Sequence, residues 1–269
     1  MRIAYFDCFS GASGDMLLGA LLDAGLDLAD LRADLACLPV GGYELAAPKV
    51  TRRGWTGTHF QVRLLPERDV QPEPGEETHP SPHAHEEHHH DHGEEEYPSA
   101  HSHEEHHHHH GEGSAAPART WPDMERLVGG SRLPERVKAR SLSVLRRLAE
   151  AEAAIHGLPM EQVHFHEISG VDTLVDVVGF VCGLERLGIE AVYSSALPLG
   201  GGTIQTEHGR LPVPAPATLA LLAQVHAPTL PGPVQAELVT PTGAALLAEL
   251  ATFRQPAMTI EAVGVGFGT

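Results

Sequence analysis

The sequence predicts an α/β fold, or its α+β variant, with a mixed sheet and packed helices. Three observations predict it. Short apolar runs of strand length alternate with longer stretches whose apolar residues recur at helical spacing. The chain opens as strand, small-residue loop and helix in direct succession. A partly alternating stretch with two glycines reads as a hairpin, the antiparallel part of the mixture.

The elements follow in order. "RIAYFD" (Arg2–Asp7) is a buried strand, and "CFSGASG" a Gly/Ser loop. In "DMLLGALLDAG" Leu17, Leu18, Leu21 and Leu22 share one helical face, with Gly25 as the stop. A helix over 28–37 precedes "YELAAPKVTRRGWTGTHFQVRLL", the two strands of the hairpin, with Gly54 and Gly57 inside it. A helix over 134–156 carries Val137, Ser141, Val144, Leu145, Leu148 and Ile155 as one stripe and ends at Gly157. "VHFHEISG" is a strand end or loop, 171–187 a helix, and "EAVYSSALPLGGG" a strand running into a glycine loop. Helices over 216–222 and 241–250 follow, the second with Thr240 as N-cap and Pro241 at its first position. "MTIEAVGVGFG" is a terminal strand.

Between residues 67 and 118 composition changes. Residues 79–110 hold 14 of the 20 histidines, broken by Glu86, Glu87, Glu104 and Glu105, and 69–118 contain no Lys or Arg. With almost no apolar residues the segment cannot bury enough surface to offset the entropy of ordering it, so disorder is expected. The chain thus divides into 1–66, the first part of an α/β domain, the insert 67–118, and 119–269, the second part. Clusters such as His88, His89, His90 and His106, His107, His108 offer overlapping imidazole sites for nickel, copper or zinc. The bland alternative is a solvated acidic linker.

Net charge is −18, and residues 69–112 supply 13 negatives, so the folded remainder is only mildly acidic. That argues against nucleic acid as partner, since phosphate binding needs a basic face. Three scattered cysteines, Cys8, Cys37 and Cys182, suit a reducing cytoplasm and no disulfide framework. No apolar run approaches the ~20 residues of a membrane span.

Three stretches can carry chemistry. In "DCFSGASGD" the residues Ser10, Gly11, Ser13 and Gly14 allow close backbone approach at a helix start, where anions are favoured. Asp7 and Asp15 flank it, as carboxylates do around a cation that bridges to an anion. A tight turn with Ser13 as N-cap is the structural alternative. In "HFHEISGVDTLVD", His164 and His166 project to the same side if extended, Glu167 is adjacent, and Asp172 and Asp176 stack on one helix face. Gly179 and Gly183 continue that face and leave it open to something large. Val171, Leu174, Val175 and Val178 form the opposite, core face. This is a metal or acid–base constellation. Asp172 also suits a capping box from Ser169, and His164 a buried core position. In "GGGTIQTEHGRLPVPAPAT", Gly200, Gly201 and Gly202 imply positive φ or close approach to a ligand, with Glu207, His208 and Arg210 on the loop. A plain surface loop is the alternative. "ELVTPTGAALL" is a weaker anion site, ordinarily just a cap.

Taken together, "YFDCFSGASGDMLLGALLD", "VHFHEISGVDTLVDVVG", "LPLGGGTIQTEHGRLPVPAPATLALL" and "ELVTPTGAALL" resemble, in order, the signatures of the LarC family of nickel-insertion proteins. The His-rich insert suits that family as well. The resemblance implies a cytoplasmic nickel chelatase, a cyclometallase of the lyase class. Its substrate is pyridinium-3,5-bisthiocarboxylic acid mononucleotide, its product the nickel-pincer nucleotide cofactor of lactate racemase, and its reaction depends on CTP with Mn²⁺ or Mg²⁺. "VGVGFGT" resembles the opening of a motif leading into the family's C-terminal, CTP-binding half, so the chain resembles the N-terminal portion. A C-terminal LarC fragment and a second copy of the chain are the expected protein partners.

On this reading the insert gathers Ni²⁺ and passes it to His164, His166 and Glu167, with Asp172, Asp176 and His208 as further candidates. The Asp7–Asp15 loop and Gly200–Gly202 cradle the phosphate, and Glu167, aided by His166 and Asp172, takes the proton released from the pyridinium ring. The rival readings are a non-catalytic nickel store or chaperone, and a metal-dependent hydrolase using the H-F-H-E cluster.

Overall fold

A computed structural model describes residues 1–65, 119–163, 170–206 and 209–268 of the 269. The insert 67–118, with all its clustered histidines, lies outside the described residues, as do His164, His166, Glu167, Ser169, Glu207 and His208.

The α/β expectation is met. A three-stranded parallel sheet forms from β1 (Ile3–Phe6), β6 (Ala191–Ser194) and β11 (Ala251–Phe253), with β6 in the centre. Alternation along the strands assigns its faces. Phe6, Val192 and Ser194 are buried on one face, and Phe6 meets the ring of Phe180 with centroids 5.5 Å apart. Ile3, Tyr5 and Tyr193 lie on the other and are only half buried.

Helices cover the first face. α1 (Gly14–Asp23) buries Leu17, Leu18 and Leu21, as its stripe predicts, and Gly25 follows it at φ +118°. α5 (Gly170–Arg186) is buried nearly all round, packing on α1, on α4 (Glu135–His156) and on α2 (Leu28–Leu35). Val171, Leu174, Val175 and Val178 are core, as expected. The opposite face of α5 is not open, contrary to the sequence expectation. A Cβ on Gly179 would lie 2.9 Å from Leu18, and one on Gly183 2.9 Å from Leu26. The large object those glycines accommodate is α1 and the turn after it, and the seam between them is apolar and closely packed. α7 (Pro241–Leu250) packs on α4, on α6 (Pro216–Gln224) and on the sheet, and begins as predicted, Thr240 accepting from the Gly243 N–H at 3.2 Å. Periodicity did not reveal α3 (Trp121–Gly129), which opens with a Thr120/Asp123 capping box.

Three β expectations need correction. The hairpin exists, but each arm is broken in two. β3 (Lys49–Arg52) pairs with β4 (Trp55–Thr58) around Arg53 and Gly54, both at positive φ as a two-residue hairpin turn requires. β2 (Tyr43–Ala46) pairs separately with β5 (Gln61–Leu64). Pro48, without an N–H, sits at the break, and its carbonyl accepts from His59 at 3.0 Å. The "EAVYSSALPLGGG" strand is likewise two. β6 joins the main sheet, while β7 (Leu197–Leu199) pairs with β10 (Thr229–Pro231), and β8 (Thr203–Thr206) with β9 (Gly209–Pro212) follows as a small hairpin. The terminal strand is not at 258–268 but at Ala251–Phe253.

The "VGVGFG" alternation has another cause. Gly264 and Gly266 press against the backbone of α1, where a Cβ would stand 2.1 Å from the Ala20 carbonyl and 1.9 Å from that of Met16. The intervening Val265 exchanges bonds with β4 and α1: its carbonyl accepts from Thr58 N–H at 2.8 Å and its N–H donates to Asp23 Oδ2 at 2.9 Å. Burial alone would raise the Asp23 pKa. Hydrogen bonds from Lys49, the Val265 N–H and Thr58 outweigh that and hold it below the usual range.

Candidate functional site

The Asp7–Asp15 loop sits where three helices begin. Gly11, at φ +114°, lies so close to the chain at Leu238 that a Cβ would stand 2.0 Å from its carbonyl oxygen, so only glycine serves. The Ala12 N–H donates to the Leu238 carbonyl at 2.8 Å, and the Thr240 N–H returns to the Ala12 carbonyl at 3.1 Å. This stitching places the first turn of α7 against the first turn of α1, with Gly243 allowing the contact. The first turn of α5 arrives from the third side. The unpaired N–H groups of helix starts make such a junction attractive to anions.

Carboxylates line the junction. Asp15 is in the first turn of α1. Its Oδ1 accepts from the Ser13 hydroxyl and from the Met16 N–H, the latter at 2.9 Å. Ser13 occupies the N-cap position but makes no capping bond, so the N-cap alternative does not explain its hydroxyl. Asp172 lies in the first turn of α5, and Asp176 one turn on. Asp176 packs directly on Gly14, where a Cβ would meet its Oδ2 at 2.3 Å. Among the described residues no hydrogen bond reaches Asp176. It keeps some surface toward the groove while protein surrounds it on the other sides. Burial first, then the charges of Asp15 and Asp172, push its pKa well above the ordinary carboxylate range.

These groups line one wide groove of about 3250 Å³, together with Asp7, Ser10, Glu237 and Thr242. Thr173, fully buried, has an Oγ1 without a hydrogen-bond partner among the described residues and borders the same space. Cys8 lies beneath the loop, where burial pushes its thiol up to about 11, so it is a core group and not a nucleophile.

The structure therefore brings together Asp7, Ser10, Ser13, Gly14, Asp15, Asp172 and Asp176, from two sequence-distant motifs. It does not bring Gly200, Gly201 or Gly202 to this groove. A Cβ on Gly200 would stand 1.6 Å from the Ala236 carbonyl, and Gly202 takes φ +86°, so the crossing of segment 235–238 accounts for the glycines. The groove rim also holds residues that sequence reasoning missed. Glu152 and His156, a helical pair with 3.5 Å between Nε2 and Oε2, close the end of α4. Nothing separates them in the sequence from an ordinary exposed helix end. Among the described residues no three His, Cys, Asp or Glu side chains gather as a metal-ion site. No described helix is long and apolar enough to cross a membrane.

Fold and groove together define an α/β protein that offers helix starts to an anion and carboxylates to a cation or proton in one open site. A family model described as nickel insertion protein matches residues 4–269, and the chain belongs to that family. It is 48% identical over 270 residues to a Thermomicrobium roseum protein that bears the name "Putative nickel insertion protein", covering 100% of this chain and 55% of that one. It is 42% identical over 272 residues to a Desulfitobacterium hafniense protein named pyridinium-3,5-bisthiocarboxylic acid mononucleotide nickel insertion protein, covering 100% and 55%. The chain thus spans about half the length of these relatives. No solved structure matches.

Proposed function

We propose that the chain acts in inserting nickel into pyridinium-3,5-bisthiocarboxylic acid mononucleotide, forming the nickel-pincer nucleotide. The observation that carries this is family membership, joined to a groove whose two chemistries suit that substrate. The starts of α1 and α7, stitched together at Ala12, receive the single phosphate. The carboxylates of Asp7, Asp15 and Asp172 attract the metal and the cationic ring.

Nickel is the substrate here. Two sulfurs and a ring carbon of the mononucleotide bind it, and forming the nickel–carbon bond releases the proton of pyridinium C4. An acceptor whose proton affinity is raised above that of an ordinary carboxylate suits that step. Asp176 has the surroundings for it, and Glu167, just before α5, is the second candidate. His164, His166 and His208 supply soft donors for the incoming ion, with the 79–110 segment as its depot. CTP, with Mn²⁺ or Mg²⁺, belongs in this proposal to sequence outside the 269 residues. The setting is the cytoplasm, the class lyase, and the chain works with a C-terminal LarC partner and as a homo-oligomer.

Reconstitution tests the reading. Purified protein is given Ni²⁺, CTP, Mn²⁺ and the mononucleotide, with and without the remaining part of a full-length relative, and the nickel-pincer product is read by mass. His166→Ala and Glu167→Gln are expected to abolish product without unfolding the protein. Nickel retention without product in any arrangement would point to storage instead. Product formation at full rate by both variants would make the His/Glu cluster structural.

A further inference from the structure

One face of the sheet is less completely buried than the other. A parallel sheet is ordinarily covered on both faces, because its backbone and its apolar side chains are otherwise left to water. Here Phe6, Val192 and Ser194 are buried under helices, while Ile3, Tyr5 and Tyr193 on the reverse face are only partly buried. The guanidinium of Arg254 lies over Tyr193, 5.5 Å from its ring centre.

Past this face runs segment 255–265. It has no regular secondary structure, yet it is fixed at both ends, by β11 before it and by the glycine seam on α1 after it. An ion pair of 3.4 Å from Arg2 to Glu261 holds its middle. It presents apolar side chains outward, with Ile260 68% and Val263 74% exposed. The space between segment and sheet belongs to the groove of about 3250 Å³. Small-molecule sites measure roughly 300–1,000 Å³, so a mononucleotide fills only a fraction of it. Exposed apolar side chains beside a partly buried sheet face fit a protein interface.

We infer that the Tyr5/Tyr193 face and the 255–265 segment together form the docking surface for the part of the full-length relatives that this chain does not span. Two observations favour that occupant over a second copy. Relatives matched along the entire chain are nearly twice its length, since the match covers 55% of each, so a protein body of comparable size exists to be seated. The docking face is also continuous with the acid groove, so one surface serves both bodies in a single site. The inference rests on the C-terminal partner proposed above, and it stands whether or not the nickel chemistry is as proposed.

The test co-expresses the 269-residue chain with the remaining part of the Thermomicrobium roseum relative, measures complex formation by light scattering and affinity capture, and maps the interface by hydrogen exchange. A one-to-one complex is expected, with slowed exchange in 2–6 and 255–265. The double substitution Ile260→Glu, Val263→Glu, at exposed positions that contribute no core, is expected to weaken binding by at least about tenfold. Its unchanged thermal melting shows that the fold is intact. Three results overturn the inference. One is no complex, another a complex indifferent to the double substitution with protection elsewhere. The third is self-association of the chain alone that the double substitution abolishes, which assigns the face to a second copy.

Discussion

Replacing Asp176 is expected to raise the stability of the fold at neutral pH. Its carboxyl packs against Gly14, no hydrogen bond reaches it among the described residues, and two carboxylates stand near. Its pKa is therefore raised in the folded protein above the ~3.9 of an aspartate in an unfolded chain. The linkage follows directly. Below the unfolded value both states carry the proton and the group costs little. As pH rises from there toward the folded value, the unfolded chain gives up its proton first, and stability is progressively lost. Each tenfold increase in proton affinity is worth about 1.4 kcal/mol of that loss. Asp176→Asn keeps the shape and removes the charge, though its amide also lacks a partner, which offsets part of the gain. A net stabilisation of about 1–2 kcal/mol at pH 8 is expected, or roughly 2–8 °C in Tm for a body of this size. The difference should shrink toward zero near pH 4. Thermal unfolding followed by circular dichroism at pH 4, 6 and 8 measures it. A variant less stable than wild type at pH 8, or an offset that ignores pH, would show that the carboxylate has a favourable partner and would refute the argument. The same substitution is expected to abolish product in the reconstituted reaction, a stability gain coupled to a functional loss.

Three further outcomes are expected. Gly266→Ala forces a Cβ to within 1.9 Å of the Met16 carbonyl, a backbone atom that cannot yield, and should lower stability by about 2–3 kcal/mol; an unchanged urea midpoint would mean the seam is loose. A peptide spanning 79–110 should bind several Ni²⁺ ions, more tightly as pH rises through ~6–7 and imidazoles lose protons; calorimetry showing no pH dependence would end the depot reading. Cys8, 4% exposed and with its thiol pushed up to about 11, should resist thiol reagents at pH 7.5 while the native fold persists; rapid modification by mass spectrometry would show that the loop above it opens.

Where periodicity and caps are strong, the sequence was sufficient. The leucines of α1, the stripe of α4 from Val137 to Leu148, and Thr240–Pro241 at the head of α7 each encode their element locally, whereas Ile155, expected in the α4 stripe, is 40% exposed in the last turn. Local signals failed where a residue answers to a distant one. Gly179 and Gly183 show only an absence of side chain, and nothing near them says that Leu18 and Leu26 fill the space. "VGVGFG" has the alternation of a strand, yet its glycines are set by the carbonyls of Ala20 and Met16 far back in the chain. α3 was legible in principle through Thr120 and Asp123, but nine residues give periodicity little to work on. For the site, both acidic motifs stood out by composition. Their meeting at Gly14 and Asp176 depends on how α1 crosses α5, which no spacing within either motif contains.

The glycine seam makes α1 the element that links segment 255–265 to the groove. Gly264 and Gly266 grip it from Met16 to Ala24, and Gly14, just before that stretch, is in van der Waals contact with the Asp176 carboxyl. A helix is axially stiff, and a packed interior passes displacement on with little absorption. Segment 255–265 and the Asp176 carboxyl are thus joined through one helix, the first gripping its body and the second its first residue. The exposed side chains of Ile260 and Val263 stand one packed element away from the acid groove.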